Sequence, residues 1–246
     1  MRASVGGGFF APTPFTEEIE AAGLAFLEPL EGLRSERARS ASLDVGRLLG
    51  AFELNAVLFG SRVEDAVQLV PVDSPESDGA GGVRVVNVEG ETRTVGTELL
   101  GRYRWGDVSV TGSYMYVRAT EPDPAGPARR DVPLTPRHTA GLVGMWEDHD
   151  RGLLGVEAYY TGRQPLDDNP YQSEGRRHVH LGVLGEIRRA DVSLFLNAEN
   201  LLNVRQTRYD PLIRTDRAPE GRWTVDAWAP IEGFVVNGGL WIRFGG

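Results

Sequence analysis

The stretch that decides the fold is DVSLFLNAENLLN, residues Asp191–Asn203, in which apolar and polar side chains alternate. In an extended strand, successive side chains point to opposite faces, so the alternation separates the residues into two sets. One face carries Val192, Leu194, Leu196 and Ala198, and the other carries Ser193, Phe195, Asn197 and Glu199. The pattern predicts an antiparallel strand with one apolar and one more polar face.

The same alternation recurs along the chain, most clearly in residues 177–188, 107–117 and 234–244. The connections between strands alternate between tight turns and long links. The predicted tight turns lie at residues 49–51, 106–107, 148–150 and 189–191, and the predicted long links at residues 11–35, 71–82, 120–134, 163–175 and 206–231. These signals together predict about ten strands.

Composition excludes several classes of protein. The chain has 246 residues, of which 41% are hydrophobic, and it carries a formal net charge of −9 without any cysteine. The negative charge and the lack of a basic cluster argue against nucleic acid as a partner. The most apolar stretch, Leu48–Gly60, contains Glu53 and Asn55 and is too short for a membrane-spanning helix. Residues 1–10 lack the apolar segment of a secretory signal.

Tight turns on one side and long loops on the other are typical of outer-membrane β-barrels. Aromatic residues near strand ends are expected to form interfacial girdles, with core packing as the alternative for each of them. They are Tyr103, Trp105, Tyr114, Tyr116, Tyr159, Tyr160, Trp241 and Phe244. Two long strand candidates, Phe52–Leu69 and Val83–Trp105, are expected to project beyond the membrane. A short helix is expected within Thr16–Ala25.

A series of motifs along the chain resembles TonB-dependent outer-membrane receptors, and the chain is similar to the C-terminal half of their barrel. The motifs occur in the order expected for that half. They are Gly8–Thr13 with Glu17 and Glu18, Phe59 with Val63–Val67, Asn87–Gly90 with Gly96–Glu98, Val132–His138 and finally Asn200–Asn203.

The resemblance implies an all-β, antiparallel transmembrane β-barrel, with the strands seen here forming part of a 22-stranded barrel. It places residues 1–246 in a single domain, the C-terminal portion of the barrel, with the plug and the signal peptide expected before Met1. It implies active transport of a scarce nutrient, such as a ferric siderophore or cobalamin, across the outer membrane of a Gram-negative-type bacterium. Its implied partners are outer-membrane lipid, the TonB complex acting through the N-terminal region, and the assembly machinery that reads Gly239, Ile242 and Phe244.

Candidate ligand-binding residues lie in the long links and at the start of one strand. His178 and His180 share a strand face, where together with Glu186 they could touch a metal-bearing ligand, or simply be polar lumen residues. Arg176 and Arg177 could attract an anionic ligand, or be solvated. The loop arginines Arg129, Arg130, Arg214 and Arg217 have the same two interpretations. Aromatic contacts could come from Tyr171, Tyr209, Trp223 and Trp228, which could equally pack the loops.

No catalytic motif, resident metal site or cofactor is expected, and the chain is not interpreted as an enzyme. No nucleophile elbow, phosphate-binding loop or HExxH pattern accompanies the four histidines. Two alternatives stay open at this point. One is a self-contained small outer-membrane barrel acting as a pore or an enzyme. The other is a soluble antiparallel sandwich that binds carbohydrate. Apolar and polar residues alternate in the same way whether the apolar face of a strand meets lipid or a protein core.

Overall fold

The computed structural model describes residues 1–12, 26–72, 82–123, 126–167, 169–213 and 227–243. The strands in these ranges are β1 (Arg2–Phe10), β2 (Phe26–Leu27), β3 (Glu36–Leu49), β4 (Phe52–Glu64), β5 (Val67–Val72), β6 (Gly82–Asn87), β7 (Glu91–Trp105), β8 (Val108–Pro122), β9 (Arg129–Asp131), β10 (His138–Asp148), β11 (Gly152–Thr161), β12 (Gln164–Pro165), β13 (Glu174–Gly175), β14 (His178–Arg189), β15 (Val192–Glu199) and β16 (Val235–Ile242). A short 3₁₀ helix covers Gln206–Arg208. The helix expected within Thr16–Ala25 lies outside the described residues.

Ten strands of the main sheet follow one another in the order β1-β3-β4-β7-β8-β10-β11-β14-β15-β16, and β9 pairs beside β8. All neighbours in this order are antiparallel. The prediction of about ten strands is confirmed. So is the placement of the Asp191 strand next to the last one. In the described part of the chain, β1 and β16 form the two edges of the sheet.

The four predicted tight turns are present and alternate with the long connections. Gly50 and Gly106 lie in two of these turns with φ of 61° and 54°, a region that glycine enters without steric cost. Ala190 occupies the turn before β15 with φ of 48°. All of these turns therefore lie at one end of the sheet, which we call the turn end. The long connections leave from the opposite end, which we call the loop end.

The strand register separates the side chains into two continuous faces. Leu194 of β15, for example, stands opposite Ile187 of β14 and Leu240 of β16. The apolar face carries Val5, Leu43, Val45, Leu54, Leu58, Leu99, Val110, Leu142, Val156, Val183, Leu194, Leu196 and Leu240. The polar face carries Ser40, Ser42, Asn55, Ser61, Thr94, Glu98, Ser113, Glu157, His180, Asn197 and Asn237.

The apolar face is uncovered in the described structure, because Leu58, Leu196 and Leu240 are 57%, 58% and 58% exposed. A soluble sandwich would bury such a face against a second sheet. Within the described ranges no second sheet of that size is present, since the other two sheets have two and three strands. The exposed face fits a barrel wall in which apolar side chains point outward.

The two long strand candidates are each divided into two shorter strands. The first breaks at Asp65, which has φ of 59°, and the second breaks at Gly90, which has φ of 106°. Beyond these breaks β5 and β6 leave the main sheet and pair with each other, and β2 joins them in parallel. The Asn87 side chain holds the junction, donating to Asp65 O at 2.7 Å and to Arg34 O at 2.9 Å. The alternation pattern missed this side sheet because it continues through both breaks.

The aromatic residues divide between the two faces. Tyr103, Trp105 and Tyr160 lie on the apolar face near strand ends, together with Trp146, which was not predicted. Tyr114 and Tyr116 lie on the same face but in the middle of β8. Tyr159 and Trp241 lie on the polar face instead, so they are not girdle residues. The Tyr159 hydroxyl donates to Glu157 at 3.1 Å on that face. Phe244 lies outside the described residues.

Candidate ligand site in the loops

Polar side chains form a buried cluster among the long connections at the loop end. Gln206, Trp228, Asp210 and Gln164 are 0%, 3%, 4% and 6% exposed. They come from the connections after β15 and before β16, and from β12. We call these four residues the loop core. Its residues belong to segments that are distant in sequence, and their contacts hold these segments together.

Hydrogen bonds satisfy most of the polar atoms of the loop core. Trp228 Nε1 donates to Asp210 Oδ2 at 3.2 Å, and Trp228 N donates to Gln206 Oε1 at 2.8 Å. Gln164 Nε2 donates to Trp228 O at 2.7 Å. Gln172 Nε2 also donates to Asp210 Oδ2, at 3.0 Å. Buried polar groups that are paired in this way fix one loop arrangement, because an unpaired alternative costs their desolvation.

A cleft of about 570 Å³ opens above the loop core and is rich in arginine. Its lining residues are Arg163, Gln172, Glu174, Gly175, Arg176, Arg177 and Tyr209. The Arg176 guanidinium carbon lies 5.0 Å from the centroid of the Tyr209 ring, and Tyr209 in turn stacks on Trp228 at 5.8 Å. Gly175 is required beside the loop core because a Cβ there would lie 3.0 Å from Trp228 Cε3. The loop core thus supports the lining of the cleft.

Only one of the three arginines that line the cleft forms an ion pair with a described residue. Arg163 Nη1 lies 3.0 Å from Glu174 Oε2, so these two charges neutralise each other. Arg176 and Arg177 are exposed and have no ion pair among the described residues. The cleft therefore presents two guanidinium groups beside an exposed phenol ring, which can bind an anionic, partly aromatic ligand.

The two candidate histidines lie directly beyond the cleft on the polar face of β14. His178 stands opposite Thr161, and His180 stands opposite Tyr159. His178 Nδ1 lies 3.3 Å from Arg176 O. Glu186, which was grouped with them, is six residues further along the strand than His180, roughly 20 Å away at about 3.3 Å per residue. It pairs with Arg188 at 2.9 Å, so the three side chains do not form one group.

The other predicted aromatic residues have structural contacts. Trp228 is buried in the loop core, an observation that favours loop packing over ligand contact. Tyr171 donates its hydroxyl to Ile213 O at 2.6 Å. Trp223, Arg214 and Arg217 lie outside the described residues.

The two arginines after β8 also have contacts within the loops. Arg129 donates to Glu91 O at 2.9 Å and to Thr120 O at 2.8 Å. Arg130 forms ion pairs with Glu121 at 2.8 Å and Asp167 at 2.9 Å. Burial lowers the pKa of Arg130, but hydrogen bonds from its guanidinium to Asp167 and Glu121 raise it above its ordinary value overall. Arg163, Gln172 and Glu174 were not predicted from sequence; they reach the cleft through the β12–β13 pairing of Gln164 with Gly175.

The Asn200–Asn203 segment follows the last residue of β15 and ends the strand. Asn200 and Asn203 have φ of 49° and 51°, a left-handed conformation that asparagine tolerates well. Asn200 is 2% exposed and donates to Val204 O at 2.8 Å and Glu232 O at 3.0 Å. Asn203 Oδ1 accepts from Phe234 N at 3.2 Å. Asn200–Asn203 therefore connects the end of β15 to the segment that leads into β16.

The described part of the predicted assembly signal lies on β16. Gly239 stands opposite Phe195, and a Cβ at Gly239 would lie 2.5 Å from Phe195 Cε1, so the position needs glycine. Ile242 is the last residue of β16 and lies on the apolar face.

No group of three or more His, Asp or Glu side chains suited to a metal ion occurs in the described ranges. Among the same residues, no helix has the length and apolarity needed to cross a membrane.

Residues 1–201 match the family described as TonB dependent receptor-like, beta-barrel. A variant of the ferric enterobactin receptor of Pseudomonas aeruginosa superposes with a TM-score of 0.68 at 15% identity, covering 97% of this chain and 37% of that one. The FrpB iron transporter of Neisseria meningitidis gives a TM-score of 0.66 at 14% identity, covering 97% of this chain and 36% of that one. The copper transporter OprC gives a TM-score of 0.67 at 14% identity, with 98% and 37% covered.

Comparison with curated proteins gave no match. The chain spans 36% to 37% of the length of the three receptors above, and at these identities the superpositions establish the fold. The ordered sheet, its two faces and the family match over residues 1–201 agree, and the chain belongs to the β-barrel family of TonB-dependent receptors.

Proposed function

We propose that this chain forms part of the wall and loops of an outer-membrane receptor that imports an anionic metal chelate in a TonB-dependent manner. The observation that carries the proposal is the cleft at the loop end, where Arg176 and Arg177 lie beside Tyr209 and form no ion pair with any described residue. Charge-assisted hydrogen bonds from guanidinium groups suit carboxylate or catecholate oxygens.

The orientation follows from the two faces and the two ends of the sheet. Family members are outer-membrane proteins, in which the apolar face meets lipid and the longer loops are extracellular. In this orientation the cleft opens to the outside, and His178 and His180 lie on the inner wall below it. A ligand captured at Arg176 and Arg177 would meet these imidazoles next. Plug movement driven through the TonB complex would then release the ligand inward.

Ferric siderophores are the favoured substrate class, with cobalamin and copper as alternatives. One structural relative is a ferric enterobactin receptor solved with enterobactin, and another is a copper transporter. The two guanidinium groups, which have no ion-pair partner within the described ranges, favour a negatively charged chelate over cobalamin or a bare cation. We also propose that β1 and β16, the edges of the described sheet, pair with further strands of a larger barrel, since unpaired backbone groups are costly in lipid.

The test is uptake of radiolabelled iron by cells expressing the full receptor, supplied with catecholate and hydroxamate chelates in turn, with labelled cobalamin and copper as comparison ligands. R176A/R177A should weaken binding of one anionic chelate by about tenfold, the equivalent of about 1.4 kcal/mol from the lost charged hydrogen bonds. The matched control is R151A, which removes an exposed arginine at the turn end. Equal binding by R176A/R177A, R151A and the parent would contradict the cleft assignment.

A further inference from the structure

Three arginines stand directly opposite one another on the apolar face near the loop end. Arg39 of β3 is the register partner of Arg62 of β4, and Arg62 is the register partner of Arg93 of β7. Directly opposed side chains have Cβ atoms about 4.5–5.5 Å apart, where like charges repel. We call these three residues the arginine row. This repulsion destabilises the sheet unless a negatively charged group lies close to the arginine row.

Protein carboxylates offset the arginine row only in part. Glu91 pairs with Arg93 and lies 3.9 Å from Arg62, and Glu64 lies 3.7 Å from Arg62. Arg39 has no ion pair among the described residues. Arg37 and Arg118, which share this face, are exposed and have none there either. The patch is therefore basic, although the chain as a whole carries a net charge of −9.

A shallow cleft of about 830 Å³ lies against the arginine row. On its side toward the turn end, the floor consists of small or apolar residues of four adjacent strands. These floor residues are Val5, Ala41, Gly60 and Val95. The cleft thus has one apolar region and one basic rim.

The height of the arginine row matches the boundary of a membrane. Phe52 lies at the turn end of β4, and Arg62 is ten residues further on. Ten residues span roughly 33 Å along a strand, or about 25 Å along the membrane normal at the usual tilt. An outward apolar band is about 25 Å tall, so the row falls at the level of the lipid headgroups and the cleft floor at the level of the acyl chains.

We infer that this cleft binds a phosphorylated lipid with several acyl chains, from the leaflet on the loop side of the membrane. The phosphate would accept charge-assisted hydrogen bonds from the arginine row, which relieves its repulsion. The acyl chains would cover the small residues of the floor. The inference rests on the membrane orientation proposed above and is independent of the nutrient cleft.

The experiment measures lipid binding to the full receptor, purified from membranes in mild detergent, by native mass spectrometry. The probes are diphosphorylated lipid A, its dephosphorylated form, and inorganic phosphate as a competitor. R39S/R93S should weaken binding of the diphosphorylated lipid by about tenfold or more, the loss expected for charged hydrogen bonds. The matched control is R47S, because Arg47 lies on the same face but nearer the turn end, opposite Leu54.

A second variant tests the apolar part of the cleft without changing any charge. Gly60 has ordinary contacts for an added Cβ, the nearest being Val95 Cγ1 at 3.6 Å, so Gly60→Phe should fold and fill the cleft. Gly144→Phe is its control, since that glycine lies on the same face with no atom within 4 Å of an added Cβ. Gly60→Phe should lose lipid, and Gly144→Phe should retain it.

Three results would overturn the inference. They are unchanged binding in both R39S/R93S and Gly60→Phe, equal binding of the dephosphorylated lipid, and complete displacement by inorganic phosphate, which would indicate a free-anion site. Nutrient binding serves as the separate readout. R39S/R93S should leave chelate binding intact, so failure of the lipid site and failure of the nutrient site give different patterns.

Discussion

The main sheet exposes apolar side chains, whereas the loop core buries polar ones. On the sheet, leucines such as Leu58 and Leu196 are more than half exposed, whereas in the loop core Gln206 and Asp210 are almost completely buried. The sheet is held by backbone pairing along its whole length, and its apolar side chains suit contact with lipid. The loop core holds separate segments together through side-chain hydrogen bonds. The exposed apolar face of the sheet is the reverse of a soluble domain, in which such side chains are buried against protein.

The largest expected effect comes from placing a charge on the apolar face. Leu142→Arg, in the middle of β10, should cost about 2–4 kcal/mol of unfolding free energy in lipid bilayers, because arginine there faces hydrocarbon. Leu142 is 54% exposed in the structure, so a water-facing surface would tolerate the change. The measurement is urea unfolding of protein reconstituted in lipid vesicles.

Val143→Arg is the adjacent control, since it faces Thr111 and Glu157 on the polar face. It should cost less than about 1 kcal/mol, as surface substitutions usually do. Equal losses for the two variants would contradict the assignment of the faces.

The next largest effect should come from Asn200, which links the sheet to the loops. Asn200→Ala removes its bonds to Val204 and Glu232 and should cost about 1–3 kcal/mol for buried groups left unpaired. Asn200→Gly loses the same bonds but tolerates the φ of 49°, so it should be less harmful than alanine by about 1 kcal/mol.

Hydrogen exchange of residues 200–213 compared with β14 checks the Asn200 prediction. We expect the loop segment to open more readily while β14 is unchanged. Exchange that rises equally in both would mean that Asn200 supports the sheet instead.

A smaller effect is expected within the loop core at Trp228. Trp228→Phe removes the Nε1 donor to Asp210 and should cost about 1 kcal/mol, the usual net contribution of one hydrogen bond. Trp241→Phe is the control because Trp241 is 70% exposed. Local exchange around Tyr209 should rise for the first variant only. A similar rise in both would show that the Asp210 bond does not hold the cleft.

The smallest effect concerns a polar pair on the apolar face. Tyr114 Oη, in the middle of β8, lies 2.7 Å from His138 Nδ1, at the start of β10. Tyr114→Phe should change the unfolding free energy by less than about 0.5 kcal/mol, as expected for an exposed pair. Urea unfolding in lipid vesicles measures this change in free energy. A loss of stability comparable to that of Leu142→Arg would mean that the pair is buried in lipid.

The sheet was predictable from sequence far better than the loops were. Alternation along β15, together with the glycines in the tight turns, defined the strands and their faces, because these depend on neighbours a few residues apart. The division at Asp65 and Gly90 was missed since alternation says nothing about φ. The loop core was missed because its partners are distant, as in the bond from Gln164 to Trp228 across 64 positions. Arg176, Arg177 and Tyr209 were predicted as separate candidates, but their common cleft depends on that distant pairing.

Cysteine scanning along β15 tests whether one face of the sheet meets lipid and the other does not. The chain contains no cysteine, so a single cysteine placed in turn at residues 192–199 can carry a spin label without background. Collision with oxygen reports lipid exposure, and collision with a water-soluble nickel chelate reports water exposure. We expect oxygen collisions to peak at positions 192, 194, 196 and 198, and any nickel collisions to peak at the positions between them. Collision rates without a period of two, or with both reagents peaking at the same positions, would contradict this expectation.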